Sequence, residues 1–266
     1  MNDSFEDIQF LARAQTRIHA LQLLAEQPRD RDELIDQLDI SRATLSRLLR
    51  QFEDRKWVSQ DGAQYRTTRF GSAMAEDITQ LLDTATTIRH FQGIAQYLPF
   101  DELGIEFYQL RGARLTEATT SDPAAPARRV GQLLDSADRT RILKQAIDPN
   151  ASRPHYEAVI QGQQRTAVIL THEAIDTVNE SRTTRQWFQE MIANEVPVYR
   201  YDGNMPINLK IIDETVVLSV TDANGLFPAL IETDDDEIFS WAVETFESYG
   251  DQATLVDQDA FRPPAD

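Results

Sequence analysis

The chain has 266 residues, 41% of them hydrophobic, enough to bury the core of one large domain or two ordinary ones. With 44 Asp and Glu against 26 Lys and Arg, its formal net charge is -18 at pH 7, so positive surface can only be local. Cysteine is absent, which removes disulfides, thiolate nucleophiles and cysteine-ligated zinc and fits a reducing cytoplasm.

Only Lys56, Lys144 and Lys210 are lysines. Acidic and lysine-poor together, such a surface suits concentrated salt, where repulsion between carboxylates is screened to about 3 Å. The opening MNDSFEDIQF lacks the basic-then-apolar order of a signal peptide, and no apolar run approaches the ~18 residues of a membrane span. The expectation is a soluble cytoplasmic protein of a halophile, without membrane contact.

From Ser4 to Glu26, Leu11, Ala14, Ile18, Leu21 and Ala25 recur at three and four residues, which predicts one helix stopped by Pro28. Asp30 and Glu33 have the spacing of an acidic capping box for a short helix with Leu34, Ile35 and Leu38 inward. After a corner at Asp39 and Ile40, Ser41 is placed to cap a third helix with Leu45, Leu48, Leu49 and Phe52 on its inner face. Trp57, Val58 and Tyr65 then flank the turn dipeptide Asp61-Gly62 between two β-prone runs. Three helices and a hairpin bury these faces in about 70 residues as a helical unit with a β-wing.

At 100° per residue, the third helix turns Ala43, Arg47, Arg50 and Asp54 away from its leucine stripe, with Ser46 beside them and Arg42 in the first turn. Residues 41–69 hold seven basic groups (Arg42, Arg47, Arg50, Arg55, Lys56, Arg66, Arg69) against Glu53, Asp54 and Asp61, a local +4 on an acidic chain. Small residues allow close approach to a major groove, and arginine reaches guanine edges or phosphates. The stretch DELIDQLDISRATLSRLLRQFEDRKWVSQDGAQYRTTRFG resembles the winged helix-turn-helix of archaeal transcription regulators, over roughly residues 8–71. The DNA-contacting set expected on this basis is Arg42, Ala43, Thr44, Ser46, Arg47 and Arg50 on the helix, with Arg66 and Arg69 in and after the wing; the partner is double-stranded DNA.

From Gly71 to about Leu98, Met74, Ile78, Leu81, Ala85, Ile88 and Ala95 follow four and three spacings, as on a coiled-coil seam. Packing against the chain's own effector domain would produce a similar stripe; the reading taken is a homodimer through residues 72–98, because paired winged helices need a spacer to address two half-sites.

Beyond Pro99, strands and helices alternate. Strands are predicted at 113–118, 140–147, 165–170, 196–201, 209–212, 215–220 and 227–232, and helices at 125–137, 153–161, 174–178, 181–194 and 235–249. The rhythm implies an α/β domain around a central sheet. TSDPAAPA, residues 120–127, reads as a loop, and FRPPAD as a loose tail. The stretches MPINLKIIDETVVLSV and IETDDDEIFSWAVETFESYG, with the element order, resemble the effector domain of regulators related to the methanogenesis regulatory protein. That resemblance implies a phospholipase-D-like fold. Phospholipase D enzymes use a histidine and a lysine two apart followed by an aspartate; here Asn208, Lys210 and Asp213 stand instead, without the histidine and at the wrong spacing. A sensing role is expected, and no enzyme activity.

The ten glycines are never two apart, which excludes the dinucleotide-binding G-x-G-x-x-G, and neither a P-loop nor a G-x-S-x-G elbow occurs. His19, His90, His155 and His172 are scattered without metal-ligand spacing. The run from Thr233 to Glu237 reads as a helix start, with Thr233 able to cap, and Asp222, Asn224 and Gly225 as a turn. No cofactor or metal is expected. Thr171 and His172 follow the apolar AVIL strand, and ligands of α/β sheets sit beyond the carboxyl ends of strands. Thr171, His172, Tyr201, Asn208 and Lys210 are therefore the candidate pocket for a small-molecule effector.

The expected class is α+β: residues 1–71 a winged helix-turn-helix, 72–98 a linker and dimerisation helix, and 99–266 an α/β effector-sensing domain. The expected function is a sequence-specific transcriptional regulator. Its rivals are a winged-helix protein-interaction adaptor and a phospholipase-D-like phosphodiesterase.

Overall fold

The computed structural model describes residues 2–145, 149–206, 208–220 and 228–262. The predicted Asp222–Gly225 turn, the last residues of the FRPPAD tail, Ile147 at the end of one predicted strand and Phe227 at the start of another lie outside the described residues. The chain divides into two compact units, Met1–Thr86 and Thr87–Asp266. Their boundary falls between the expected limits of the linker, at 71 and 98.

The first unit begins with α1 (Asn2–Ala12) and α2 (Gln15–Glu26), not with one helix. Ala14 is extended, at φ -157° and ψ 126°, and both Ala14 and Ala25 are exposed. Phe10 and Leu11 of α1 and Ile18 and Leu21 of α2 enter the same core on either side of this break. Asp30 caps α3 (Arg31–Leu38) through a complete capping box with Glu33, and Asp39 turns the corner in the left-handed region at φ 50°. Ser41 Oγ accepts from the Thr44 amide at 3.2 Å and opens α4 (Arg42–Asp54). Leu45, Leu48, Leu49 and Phe52 are buried, each stabilising the helix by about 1.5–3 kcal/mol relative to exposure.

Strands β1 (Val58–Asp61) and β2 (Gln64–Thr67) pair antiparallel, with Asp61 opposite Gln64. The tight turn is thus Gly62-Ala63, one residue later than the dipeptide read from sequence, and Gly62 takes the required positive φ of 62°. The long helix α5 (Arg69–Phe91) starts against the wing: a Cβ on Gly71 would lie 1.9 Å from the Trp57 carbonyl oxygen.

In the second unit, α6 (Phe100–Leu103) precedes β3 (Arg114–Glu117), α7 (Ala125–Asp135), β4 (Arg139–Lys144), α8 (Pro149–Ile160), β5 (Arg165–Thr171), α9 (His172–Glu180) and α10 (Arg182–Ala193). Then come β6 (Val198–Tyr201), β7 (Asn208–Ile212), β8 (Thr215–Val220), β9 (Ala229–Thr233), α11 (Asp236–Gln252) and β10 (Thr254–Leu255). Among the described residues they form one eight-stranded sheet of order β10-β6-β5-β4-β7-β8-β9-β3. Strands β4, β5 and β6 run parallel, and β7, β8, β9 and β3 follow antiparallel.

The sheet is covered on both faces, which is why β7 and β9 are buried at every position. Helix α11 covers one face, with Ile238 and Ala242 among Leu143, Ile169, Leu209, Ile211 and Leu218. On the other, Val130 and Leu134 of α7 pack on Ile212, Val217 and Leu230, and helices α8 to α10 on Ile142, Val168 and Leu170. Asp235, not Thr233, caps α11, accepting from the amides of Glu237 and Ile238. Helix α7 begins at Ala125, inside the predicted loop, with Pro126 in its first turn. The expected α+β class, winged helix followed by long helix and α/β domain, is the one observed.

Candidate nucleic-acid interface and polar cluster

Helix α4 is held by its apolar side, so its other side is left to solvent. Arg42, Ala43, Ser46, Arg47 and Arg50 are exposed, as are Arg66 in β2 and Arg69 at the start of α5. Among the described residues, the Arg47, Arg50 and Arg69 guanidiniums make no hydrogen bond or ion pair. Arg42 reaches Asp32 at 3.1 Å and Arg66 reaches Asp61 at 3.8 Å, both exposed pairs of little energetic weight. Thr44 is half-buried with its hydroxyl 2.9 Å from Ser41 Oγ, so it serves the cap.

Two groups near this face were missed by the sequence reading. Arg31 of α3 donates to Tyr65 OH at 2.6 Å and to Ser46 Oγ at 3.3 Å, joining α3, the wing and the outward side of α4. Arg17 lies in the field of Arg13, Arg47 and Arg55; partial burial first, then those charges, lower its pKa from the ordinary value. Neither signal was visible, since Arg31 sits 15 residues and Arg17 30 residues from the α4 groups they meet. Arg55, counted in the local +4, is instead tied to Asp7 at 2.9 Å and lies over the Phe10 ring at 4.0 Å.

In the second unit, the candidate effector residues share one end of the sheet but not one face. Thr171 is buried and caps α9, its Oγ1 accepting from the Ala174 amide at 3.2 Å. His172 is exposed, with Nε2 3.6 Å from Asp176. Tyr201 faces α11 and meets Tyr249 edge-on at 4.9 Å between ring centres. Asn208 and Lys210 alternate with Leu209 and Ile211 and so occupy the opposite face, both buried. Asn208 Oδ1 accepts from the Gln145 amide at 2.9 Å, and Lys210 Nζ donates to Ser219 Oγ at 2.7 Å.

Burial, then the charge of Lys144, pushes the Lys210 amine down to about 7. On that face also sits His155 of α8, its Nε2 3.3 Å from the hydroxyls of Thr140 and Thr166. Burial, with Lys144 and Lys210 adding to it, lowers the imidazole to about 3. Linear spacing put no histidine near Lys210; the fold brings one into its electrostatic reach.

A winged-helix unit followed by an α/β unit with one mixed sheet is the class this architecture defines. Residues 5–90 match the family model described as HVO_A0261 N-terminal domain, and residues 123–252 that of the methanogenesis regulatory protein FilR1, middle domain. No curated protein matches it. Among solved structures, TrmBL2, described as an archaeal chromatin protein with a novel mode of DNA binding, is similar at 14% identity and TM-score 0.43, over 89% of this chain and 92% of that one. Nuc of Salmonella typhimurium, a phospholipase D family member, is similar at 13% identity and TM-score 0.43, over 55% of this chain and 98% of that one. NucT from Helicobacter pylori is similar at 15% identity and TM-score 0.43, over 54% and 98%. Among the described residues, no helix is long and apolar enough to cross a membrane and no group of acidic or histidine side chains could hold a metal ion.

Proposed function

We propose that the chain is a sequence-specific DNA-binding transcriptional regulator whose C-terminal unit senses a small molecule or partner. The observation that carries this reading is the outward face of α4: exposed Ala43, Ser46, Arg47 and Arg50 on a helix anchored from behind by four buried apolar residues. Such a helix enters a major groove with small side chains where it approaches closest and arginines that reach base edges and phosphates. Arg42, Thr44, Arg66 and Arg69 flank it, Thr44 through the cap. The match to a FilR1 middle domain supports a regulatory role for the second unit.

In this reading two copies pair through residues 72–98. Met74 and Ile78 pack within the first unit, while Leu81, Ala85 and Ile88 stay exposed, Leu81 at 57% and Ile88 at 50%. Thr171, His172, Tyr201, Asn208 and Lys210 are the proposed sensing residues, in two groups on opposite faces of the sheet. An effector shifts the two winged helices only by preferring one of their arrangements.

The phosphodiesterase alternative gains His155 beside Lys144 and Lys210. Its ring nitrogen is spent on Thr140 and Thr166, and the cavity beside it has a volume of about 20 Å³, room for a water and not for a phosphodiester.

Genome-wide crosslinking of the tagged protein in its native cytoplasm, beside the Arg47→Ala, Arg50→Ala double variant, tests the proposal. Sharp promoter peaks lost in the variant are expected. In vitro, affinity falls only weakly with added salt, because the acidic unit is screened and little counterion release remains in molar salt. Absence of peaks, or a steep salt-induced loss, sinks the reading in favour of the adaptor.

A further inference from the structure

Helix α11, helix α6 and the α11-facing side of the sheet enclose a cleft of about 280 Å³ at the carboxyl end of β4, just below the usual size of small-ligand sites. Leu143 and Leu209 make its apolar floor, Trp241 and Tyr249 are its aromatic walls, and Glu102 and Glu244 bring two carboxylates to it. Among the described residues, no lysine, arginine or histidine lines it, and its ionisable groups are Glu102, Glu244 and Tyr249.

Both aromatic rings are held in place. Trp241 Nε1 donates to the Leu103 carbonyl at 2.9 Å, which spends the indole's donor and fixes the ring beside α6. Tyr249 is braced edge-on by Tyr201, and Gly203 leaves the space that Tyr201 occupies: a Cβ there would stand 2.6 Å from its ring. Burial first, then Tyr201 and Glu102, raises the Tyr249 phenol above its ordinary value, so it stays neutral. The influence of Glu102 on that phenol places its carboxylate in electrostatic reach of the aromatic wall.

Fixed aromatic rings over an apolar floor, with negative charge and no positive charge, is the arrangement that attracts a cation too greasy to prefer water. An anion meets two carboxylates there. A neutral apolar molecule gains the floor and walls but nothing from the charges. A hydrated metal ion gains the charges but loses its shell against leucine and tryptophan. Carboxylates are common on a chain with 44 of them; the aromatic pair on an apolar floor distinguishes this cleft from ordinary acidic surface.

We infer that the cleft between α6, α11 and the sheet is a binding site for a small organic cation, a quaternary ammonium or protonated alkylamine. The site lies within the C-terminal unit, on the opposite face from Lys210, and does not rest on the DNA-binding reading. Its occupancy bears on Tyr201 through Tyr249, which gives that sensing candidate a physical connection to a ligand it does not itself line.

The test uses the full chain, without DNA, in 1 M KCl, where diffuse attraction to an acidic surface is screened. Choline and its uncharged isostere 3,3-dimethylbutan-1-ol are titrated while tryptophan fluorescence and the melting temperature are followed. Saturable choline binding is expected, about ten-fold tighter than that of the isostere. The Glu102→Gln, Glu244→Gln variant, changed only at exposed positions, loses most of that preference with its melting temperature kept. Trp241→Phe, which retains an aromatic wall, still binds choline but loses the fluorescence response. Equal binding of the two probes, no saturable choline binding, or a preference unchanged in the double glutamine variant overturns the inference. None of these outcomes touches promoter binding.

Discussion

Arg31 donates to the Tyr65 hydroxyl at 2.6 Å, so a guanidinium from α3 is fastened to the wing while its other arm reaches Ser46 on α4. The contact spans 34 residues of sequence and sets the position of one positive charge beside the outward face of α4. Tyr65→Phe removes the acceptor and leaves the buried ring in place. It is expected to cost about 1.5 kcal/mol in stability, the low end for hydrogen bonds to a charged group, because Nε and Nη2 both donate to this hydroxyl from an exposed arginine, and to weaken operator binding about two- to five-fold. Arg31→Ala weakens binding further. Thermal melts and fluorescence anisotropy on the same operator check both; a variant that melts earlier with affinity unchanged would show the contact to be structural only.

Gly71 lets α5 start against the wing. An alanine Cβ would meet the Trp57 carbonyl oxygen at 1.9 Å, so backbone must move. Gly71→Ala is expected to destabilise the first unit by about 3 kcal/mol or more, in or beyond the usual overpacking range. Gly62→Ala, at φ 62° with open space around it, costs only about 1 kcal/mol. Hydrogen exchange of the amides in residues 57–68 separates the two: protection is lost in the first variant and kept in the second.

Leu81 and Ile88 expose half or more of their surface on one long helix. Replacing both with glutamate is expected to convert a dimer to monomers and raise its dissociation constant at least about 100-fold, because each burial across a pair is worth about 1.5–3 kcal/mol. Sedimentation velocity measures it. A wild-type chain that is monomeric at the same concentration removes the pairing proposal.

His155 and Lys210 both have folded pKa values below their ordinary ones, about 3 against 6.5 and about 7 against 10.5, chiefly through burial. The unfolded chain therefore takes up each proton first as pH falls. The stability contributed by His155 is complete above pH 6.5 and is lost between 6.5 and 3. That contributed by Lys210 is complete above pH 10.5 and is lost towards 7. Urea midpoints across pH should fall in both windows. Lys210→Met should flatten the upper window and narrow the lower one without abolishing it, since burial remains the larger cause of the His155 shift; an unchanged slope between pH 7 and 10 would mean that the amine is solvated.

Most of the first unit was legible because its cues are local: the Asp30–Glu33 box, the Ser41 cap, the four-residue apolar stripe of α4 and the glycine turn act within a few residues. The single-helix reading of residues 4–26 failed at Ala14, which is extended: the periodicity there was carried by alanines, Ala14 and Ala25, that end up exposed and bury too little surface to hold the helix continuous. In the second unit, strands were legible from their β-branched runs, and strand order was not. Alternation of strand and helix leaves open that β7 pairs with β4 and turns the sheet antiparallel from there on.

By itself, then, the sequence determined most of the elements, the outward face of α4 and the local basic patch, since helix period, capping and charge count act over short distances. Only the tertiary structure decided that Arg31 and Arg17 join that patch, that Tyr201 and Lys210 stand on opposite faces of one sheet, and that His155 lies in the electrostatic reach of two lysines. It also decided where Trp241 and Tyr249 enclose space with Glu102 and Glu244. Those neighbours are set by strand order and by which face each helix covers, and both depend on how apolar surface is buried across the whole unit.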